Sequence, residues 1–317
     1  MRLVRVILIV LAALGLSATA HAACQVSAST AFAFSPSSSY DVRQGSVSQS
    51  SSSAGFTCSG SLISVVATNS AVATVTSLNS FRLKGSSGDV IPYTASADAN
   101  GTYAFNRTSS IEYMDSSLLS LLGILSAGTF APKLYAMPTA GANVSAGTYT
   151  DTLTVQWSWQ ICHGIGIGGI CVFSESGTGT ALITVTLVVG KDCRISAPAL
   201  SFGSAPLVSQ FTEVNQAVAV DCTKDATYSV AFTSGSSGVS RPWRAMTDGA
   251  GHILQYNLYL PDGTTIWDQT NPQPGTSVGT GALVPAQMQS YRARINPAQA
   301  TPPAGRYTDT VSVIVSF

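Results

Sequence analysis

Two segments of this chain are near copies of each other, Ala146-Gly-Thr-Tyr-Thr-Asp-Thr-Leu-Thr-Val-Gln-Trp157 and Ala304-Gly-Arg-Tyr-Thr-Asp-Thr-Val-Ser-Val-Ile-Val315. A unit written twice in one chain predicts two like domains. Each copy has a widely spaced cysteine pair upstream, Cys24 with Cys58 and Cys193 with Cys222. Both copies alternate with the period of a strand. Tyr149, Leu153, Val155, Trp157 and Trp159 share one face, as do Tyr307, Val311, Val313, Val315 and Phe317, and the opposite faces are mostly Thr, Ser and Gln. Clusters of Gly, Asn, Pro and Ser separate the short alternating runs, the pattern of antiparallel β-sandwiches. The expected fold class is therefore all-β, with two antiparallel β-sandwich domains divided at Gly190 to Asp192, covering residues 23–190 and 191–317.

Residues 1–22 read as a signal peptide. Arg2 and Arg5 precede an apolar run from Val6 to Leu16, and Ala20-His21-Ala22 forms a small-x-small cleavage site. Export makes the six cysteines a disulfide framework. Nearest-neighbour pairing is the preferred arrangement, Cys24 to Cys58, Cys162 to Cys171 and Cys193 to Cys222, because the first and third spans recur with the repeat. Each bridge would contribute about 3 to 4 kcal/mol in the chain-entropy account. Zinc is the competing use of cysteines, but no C-x-x-C pair or Cys/His cluster supports it. Charged residues make up only 9% of the chain, and loss of Arg2 and Arg5 leaves a slight negative balance. Such a surface attracts neither nucleic acid nor an anionic membrane.

The two domains differ at their ends. After its copy of the repeat, the first continues through a Gly-rich cysteine loop into Ala181-Leu-Ile-Thr-Val-Thr-Leu-Val-Val189, with Ile183, Val185, Leu187 and Val189 on one face. The second reaches Phe317 without an equivalent strand. The expectation is an open apolar groove edged by Val311, Val313, Val315 and Phe317, which aggregates unless another chain fills it.

The second domain resembles the spore coat protein U family of pilin domains at Cys193, Ser201-Phe-Gly203, Asp221-Cys222, Leu254-Gln-Tyr-Asn-Leu-Tyr259, Thr265-Ile-Trp267 and Ala304 to Val311. The first matches mainly at Cys24, Cys58 and Ala146 to Val155. The resemblance implies immunoglobulin-like domains, the second lacking its final strand, in a subunit of an archaic, Csu-type chaperone-usher pilus. Its implied partners are a periplasmic pilus chaperone, an outer-membrane usher and a next subunit that lends its N-terminal strand, the strand-addition mode known as donor-strand complementation. Only Ala23 stands between the expected cleavage point and Cys24. The chain is thus expected to accept a strand and lend none, which puts it at the pilus tip as a two-domain adhesin on the cell surface.

Two apolar loops of the first domain are the candidate contacts with a hydrophobic surface or an unidentified receptor. One is Ser117 to Ser126, carrying Leu118, Leu119, Leu121, Leu122, Ile124 and Leu125. The other is Cys162 to Cys171, a Gly-rich hairpin carrying Ile165, Ile167 and Ile170. Exposed apolar tips mark interaction sites. The leucine segment has a second reading, a short helix capped by Asp115 and buried in the core. The Trp157 and Trp159 pair is expected in the core. No cofactor or metal is expected, and no enzyme activity. His163 and His252, the histidines left after cleavage, sit in no Ser/His/Asp arrangement, and Gly275-Thr-Ser-Val-Gly279 matches G-x-S-x-G without a strand-to-helix turn. A structural spore or cell-coat protein is the alternative reading, although it leaves the unequal ends unexplained.

Overall fold

The computed structural model describes residues 23–59, 69–122, 129–163, 171, 173–279 and 286–317. The first domain opens with β1 (Ala23–Val26), β2 (Ser29–Ala33) and β3 (Ser37–Ser38), then the short helix α1 (Ser39–Gln44). Ser38 caps that helix in a reciprocal box with Asp41, and Gly45 closes it at φ 76°, a left-handed conformation that suits glycine. There follow β4 (Ser50–Ser53), β5 (Phe56–Ser59), β6 (Ser70–Ser77), β7 (Arg82–Gly85), β8 (Val90–Ser96) and β9 (Ser110–Glu112). Helix α2 (Ser116–Leu122), β10 (Thr129–Phe130), β11 (Lys133–Pro138) and the long hairpin β12 (Gly147–His163) and β13 (Phe173–Gly190) complete the domain.

A small sheet, β1-β5-β10, faces a large curled one ordered β2-β13-β12-β7-β8-β11-β4. The seam between β4 and β2 is laced by hydroxyls, Ser50 Oγ donating to Ala33 O at 3.0 Å and Ser52 Oγ to Ala31 O at 3.1 Å. The core is aromatic where the sheets meet. Phe56 stacks on Trp157 at 4.8 Å, and the indole N–H of Trp157 donates to Ala54 O at 2.9 Å.

The second domain contains β14 (Cys193–Ser196), a 3-10 turn Val208–Gln210, β15 (Val214–Cys222), β16 (Thr227–Phe232), β17 (Arg244–Thr247), β18 (Ile253–Tyr259), β19 (Gln273–Thr276), β20 (Gln287–Ile295) and β21 (Val313–Ser316). Its sheets are β14-β15-β20-β18-β17 and β19-β16-β21, enclosing a core around Trp267, Phe232 and Tyr291. All three nearest-neighbour disulfides are present: Cys24–Cys58, Cys162–Cys171 and Cys193–Cys222. The first and third join directly opposed residues of β1 with β5 and of β14 with β15.

The repeat is structural as well as textual. Tyr149 Oη donates to Ser145 O at 2.7 Å, and Tyr307 Oη donates to Pro303 O at 2.8 Å, the same tyrosine corner in each copy. Asp151 accepts from the Tyr93 hydroxyl at 2.7 Å, as Asp309 does from the Tyr256 hydroxyl at 2.6 Å. Burial would raise Asp309, but the bonds from Tyr256 and Ser236 outweigh it and hold its carboxyl below the usual range. Asp151 sits on the inward, apolar face of β12 and is fully buried, with Ser77 Oγ and the backbone N–H of Asn79 as further donors. Replacing Asp151 by Ala strands these donors away from water and is expected to cost about 2 to 4 kcal/mol. Denaturant unfolding measures this directly, and a change below about 0.5 kcal/mol would show that water satisfies the donors.

Candidate functional site

In the first domain β13 lies between β12, to which it is antiparallel from Gly147↔Val189 to His163↔Phe173, and β2, to which it is parallel from Leu182↔Ser29 to Thr186↔Ala33. Ala181, Ile183, Val185, Leu187 and Val189 point inward and are at most 2% exposed. The facing residues Leu153, Val155 and Phe32 are equally buried.

The corresponding place in the second domain is open. The stretch after β14 and the residues before β21 flank a cavity of about 780 Å³ lined by Leu200, Phe202, Phe211, Tyr256, Val311 and Val313, among others. Leu200, Phe202, Val311 and Val313 are only partly buried. The second copy of the repeat is therefore not a strand throughout, as its alternation predicts. Only Val313–Ser316 is, paired to β16 through Phe232↔Val313 and Val230↔Val315, because a ladder needs a neighbour and the groove side supplies none among the described residues. Of the expected edge residues, Val311 and Val313 line the groove, Val315 packs in the strand beside it, and Phe317 is 55% exposed outside it.

The opposite feature lies at the far end of β12 and β13, strands of 17 and 18 residues that reach about 50 Å from Gly147. There the backbone N–H of Cys162 donates to Asn69 Oδ1 at 2.7 Å, and that of Cys24 donates to the Glu175 carboxylate at 3.0 Å. Thr129 pairs with Ser59, and the Glu112 carboxylate receives the N–H groups of Ala71 and Met114. The chain thus departs and returns at this one end three times: after Ser59, after Leu122 and after His163.

Ile165, Ile167, Ile170, Ile124 and Leu125 lie outside the described residues, as do the side chains of Leu121 and Leu122. Leu118 is fully buried in the core and Leu119 packs partly against it. Asp115 Oδ1 accepts the Ser117 N–H at 2.9 Å at the start of α2. Leu118 is therefore corrected from a surface contact to a core residue, since a side chain with no exposed area cannot meet a surface without local unfolding. The stretch between Ser59 and Asn69 was not singled out from sequence. It carries Leu62, Ile63, Val65 and Val66, an apolar run that reads equally as a core strand.

The sequence profile of the Spore Coat Protein U domain matches residues 10–156 and 179–314. The chain belongs to the Spore Coat Protein U domain family. In fold it is similar to the chaperone-tip adhesion subunit pre-assembly complex CsuC-CsuE from archaic chaperone-usher Csu pili of Acinetobacter baumannii, with a TM-score of 0.61, 22% identity and coverage of 93% of this chain and 100% of that one. The CupB6 tip adhesin of Pseudomonas aeruginosa matches with a TM-score of 0.32 and 12% identity over 93% of this chain and 94% of that one. The CooA pilin subunit of enterotoxigenic Escherichia coli gives 0.27 and 16%, covering 52% and 92%. No curated protein matches in sequence.

The two Spore Coat Protein U domains meet at the end of β12 and β13 opposite His163 and Phe173. Tyr40 of α1 is buried, donates its hydroxyl to Asp221 O, and has the Arg194 guanidinium 3.7 Å over its ring. Ser39 Oγ and Thr223 Oγ1 are 2.8 Å apart, Ser145 forms a parallel bridge to Lys224, and the Lys224 ammonium pairs with Asp89. Desolvation pushes Asp89 up, but hydrogen bonds from Lys224 and Ser145 prevail and bring its pKa from 3.8 to about 2. A depressed carboxylate stabilises the joint above its unfolded value of 3.8, and that contribution is lost as pH falls through about 2. Small-angle scattering is expected to show a fixed interdomain geometry at pH 7 and a broader one below about pH 2, with Asp89→Asn broadening it already at pH 7. An Asp89→Asn profile identical to the parent at pH 7 would remove this ion pair from the joint.

Proposed function

We propose that the chain is the tip adhesin of a chaperone-usher pilus, held to the pilus through its second domain and attaching cells by the apolar loops at the far end of the first. The observation that carries this is the contrast between one groove filled by the domain's own β13 and an equivalent groove left open. An open apolar groove flanked by unpaired backbone is a site for strand addition. The implied occupants are a periplasmic chaperone first, then the N-terminal strand of the next subunit, handed over at the outer-membrane usher. Similarity to a chaperone-bound tip subunit supports the reading at the level of fold.

Three apolar segments issuing from one end, about 50 Å from the joint, suit contact with a hydrophobic surface. With charged residues so scarce, such an end is cheap to desolvate. The test of the pilus reading is Val311→Arg, which places a cation on the groove wall. Co-expressed with the pilus chaperone, the parent chain should co-purify as a one-to-one complex and the variant should be lost at least tenfold. Equal recovery of both would overturn strand addition at this groove.

A further inference from the structure

The second profile match begins at residue 179, inside β13, so the strand that completes the first domain is at once the segment ahead of the first cysteine of the second. The chain thus already contains one joint of the kind that the proposed function requires between subunits: a strand inserted into one domain, with its own domain docked at the groove's end. We infer that the next pilus subunit, besides inserting its strand, seats its body on a specific face of the second domain, formed by Thr301 to Pro303 and the turn Asp248 to His252. This inference rests on the strand-addition reading.

The repeat defines that face. In the joint present here, Ser145 lies alongside Lys224, two residues beyond the second cysteine of the docked domain, and Asn143 Nδ2 donates to Val278 O at 3.1 Å. The tyrosine corners put Pro303 in the place of Ser145, and hence Thr301 in the place of Asn143. The hairpin turns also correspond. Gly85 N donates to Asp89 O at 3.0 Å and Asp248 N to His252 O at 3.4 Å, while Tyr149↔Gly85 is matched by the adjacent bridge Thr247↔Thr308. His252 therefore stands where Asp89 stands.

Two consequences follow for the partner. Its inserted strand ends close to its first cysteine, as Val189 does four residues before Cys193, which leaves the body no slack to sit elsewhere. Its residue two positions beyond its second cysteine comes alongside Pro303. The ionic lock of the first joint does not recur, because His252 Nδ1 is already 2.6 Å from Asp248. The second joint is held by strand and backbone.

Disulfide trapping tests this. Residues joined by a β-bridge fall within the about 4.4 to 6.8 Å between Cα atoms that a disulfide spans. The full chain as its chaperone complex, carrying Pro303→Cys, is mixed with a Spore Coat Protein U family pilin that has a free N-terminal strand and a cysteine introduced two positions after its second native one. Thr264→Cys, at the other end of β18, is the comparison, and Ser145→Cys with Lys224→Cys within this chain calibrates trapping at the existing joint. The expected result is at least about tenfold more trapped heterodimer with Pro303→Cys than with Thr264→Cys. A complex that forms on gel filtration but traps no better at Pro303 would overturn the docking face and leave strand addition standing. Failure of the parent chain to take up the pilin at all would overturn the strand-addition reading and this inference with it.

Discussion

Residues 191–317 produced without the rest of the chain should aggregate or be degraded, whereas residues 23–190 should fold in an oxidising compartment and unfold in one cooperative transition. The first domain has β13 where the second, among the described residues, has an open groove. In the first domain, β13 buries Ile183, Val185, Leu187 and Val189 almost completely, along with Ala181. At about 1.5 to 3 kcal/mol for each large side chain, this strand contributes an amount comparable to the whole stability of an ordinary domain. The second domain has the matching walls without the strand, so Leu200, Phe202, Val311 and Val313 stay partly open. Appending Gly179 to Gly190 after Phe317 through a short flexible linker should convert residues 191–317 into a soluble monomer, because that segment already fits the equivalent groove of the first domain. A stable, monomeric, cooperatively melting 191–317 without any added strand would sink the groove argument.

Much of this architecture was legible in the sequence because strands with one dry face write their period into the chain. The inward set of β12 and β13 follows the alternation residue by residue. Two of the three disulfides, Cys24–Cys58 and Cys193–Cys222, follow the repeat. Other features were hidden, each for a physical reason. Asp151 stands on an apolar face because Tyr93, Ser77 and Asn79 converge on it from other strands, and no local pattern announces donors that arrive from a distance. The second copy of the repeat alternates as well as the first, yet Gly305 to Ser312 forms no strand: alternation specifies a face, and pairing requires a partner. Leu118 carries the same hydrophobicity whether it points into the core or out, and the capped turn begun by Asp115 turns it inward. The interdomain joint depends on Tyr40, Arg194 and Lys224, isolated residues far apart in the chain that no spacing rule connects.

Replacing Ile165, Ile167 and Ile170 together by Ser should sharply reduce attachment of piliated cells to plastic while leaving the amount of pilus on the surface unchanged. Assembly in this proposal uses the groove of the second domain, and the Cys162–Cys171 disulfide lies at the other end of the first domain. Each isoleucine that inserts into an apolar surface contributes at most about 1.5 to 3 kcal/mol, so losing three from every tip removes several orders of magnitude in binding constant before any avidity among many pili is counted. Since apolar burial is the driving force, parent attachment should persist in added salt, where exposed charge interactions would be screened over about 10 Å or less. A core role for the same residues makes a different forecast, in which the triple variant misfolds and pili disappear along with attachment. Measuring both quantities on the same cells separates the two. Normal piliation with undiminished attachment would take the segment between Cys162 and Cys171 out of the contact and shift that contact to the segment between Ser59 and Asn69 with Leu62, Ile63, Val65 and Val66, and the one that follows α2 with Ile124 and Leu125.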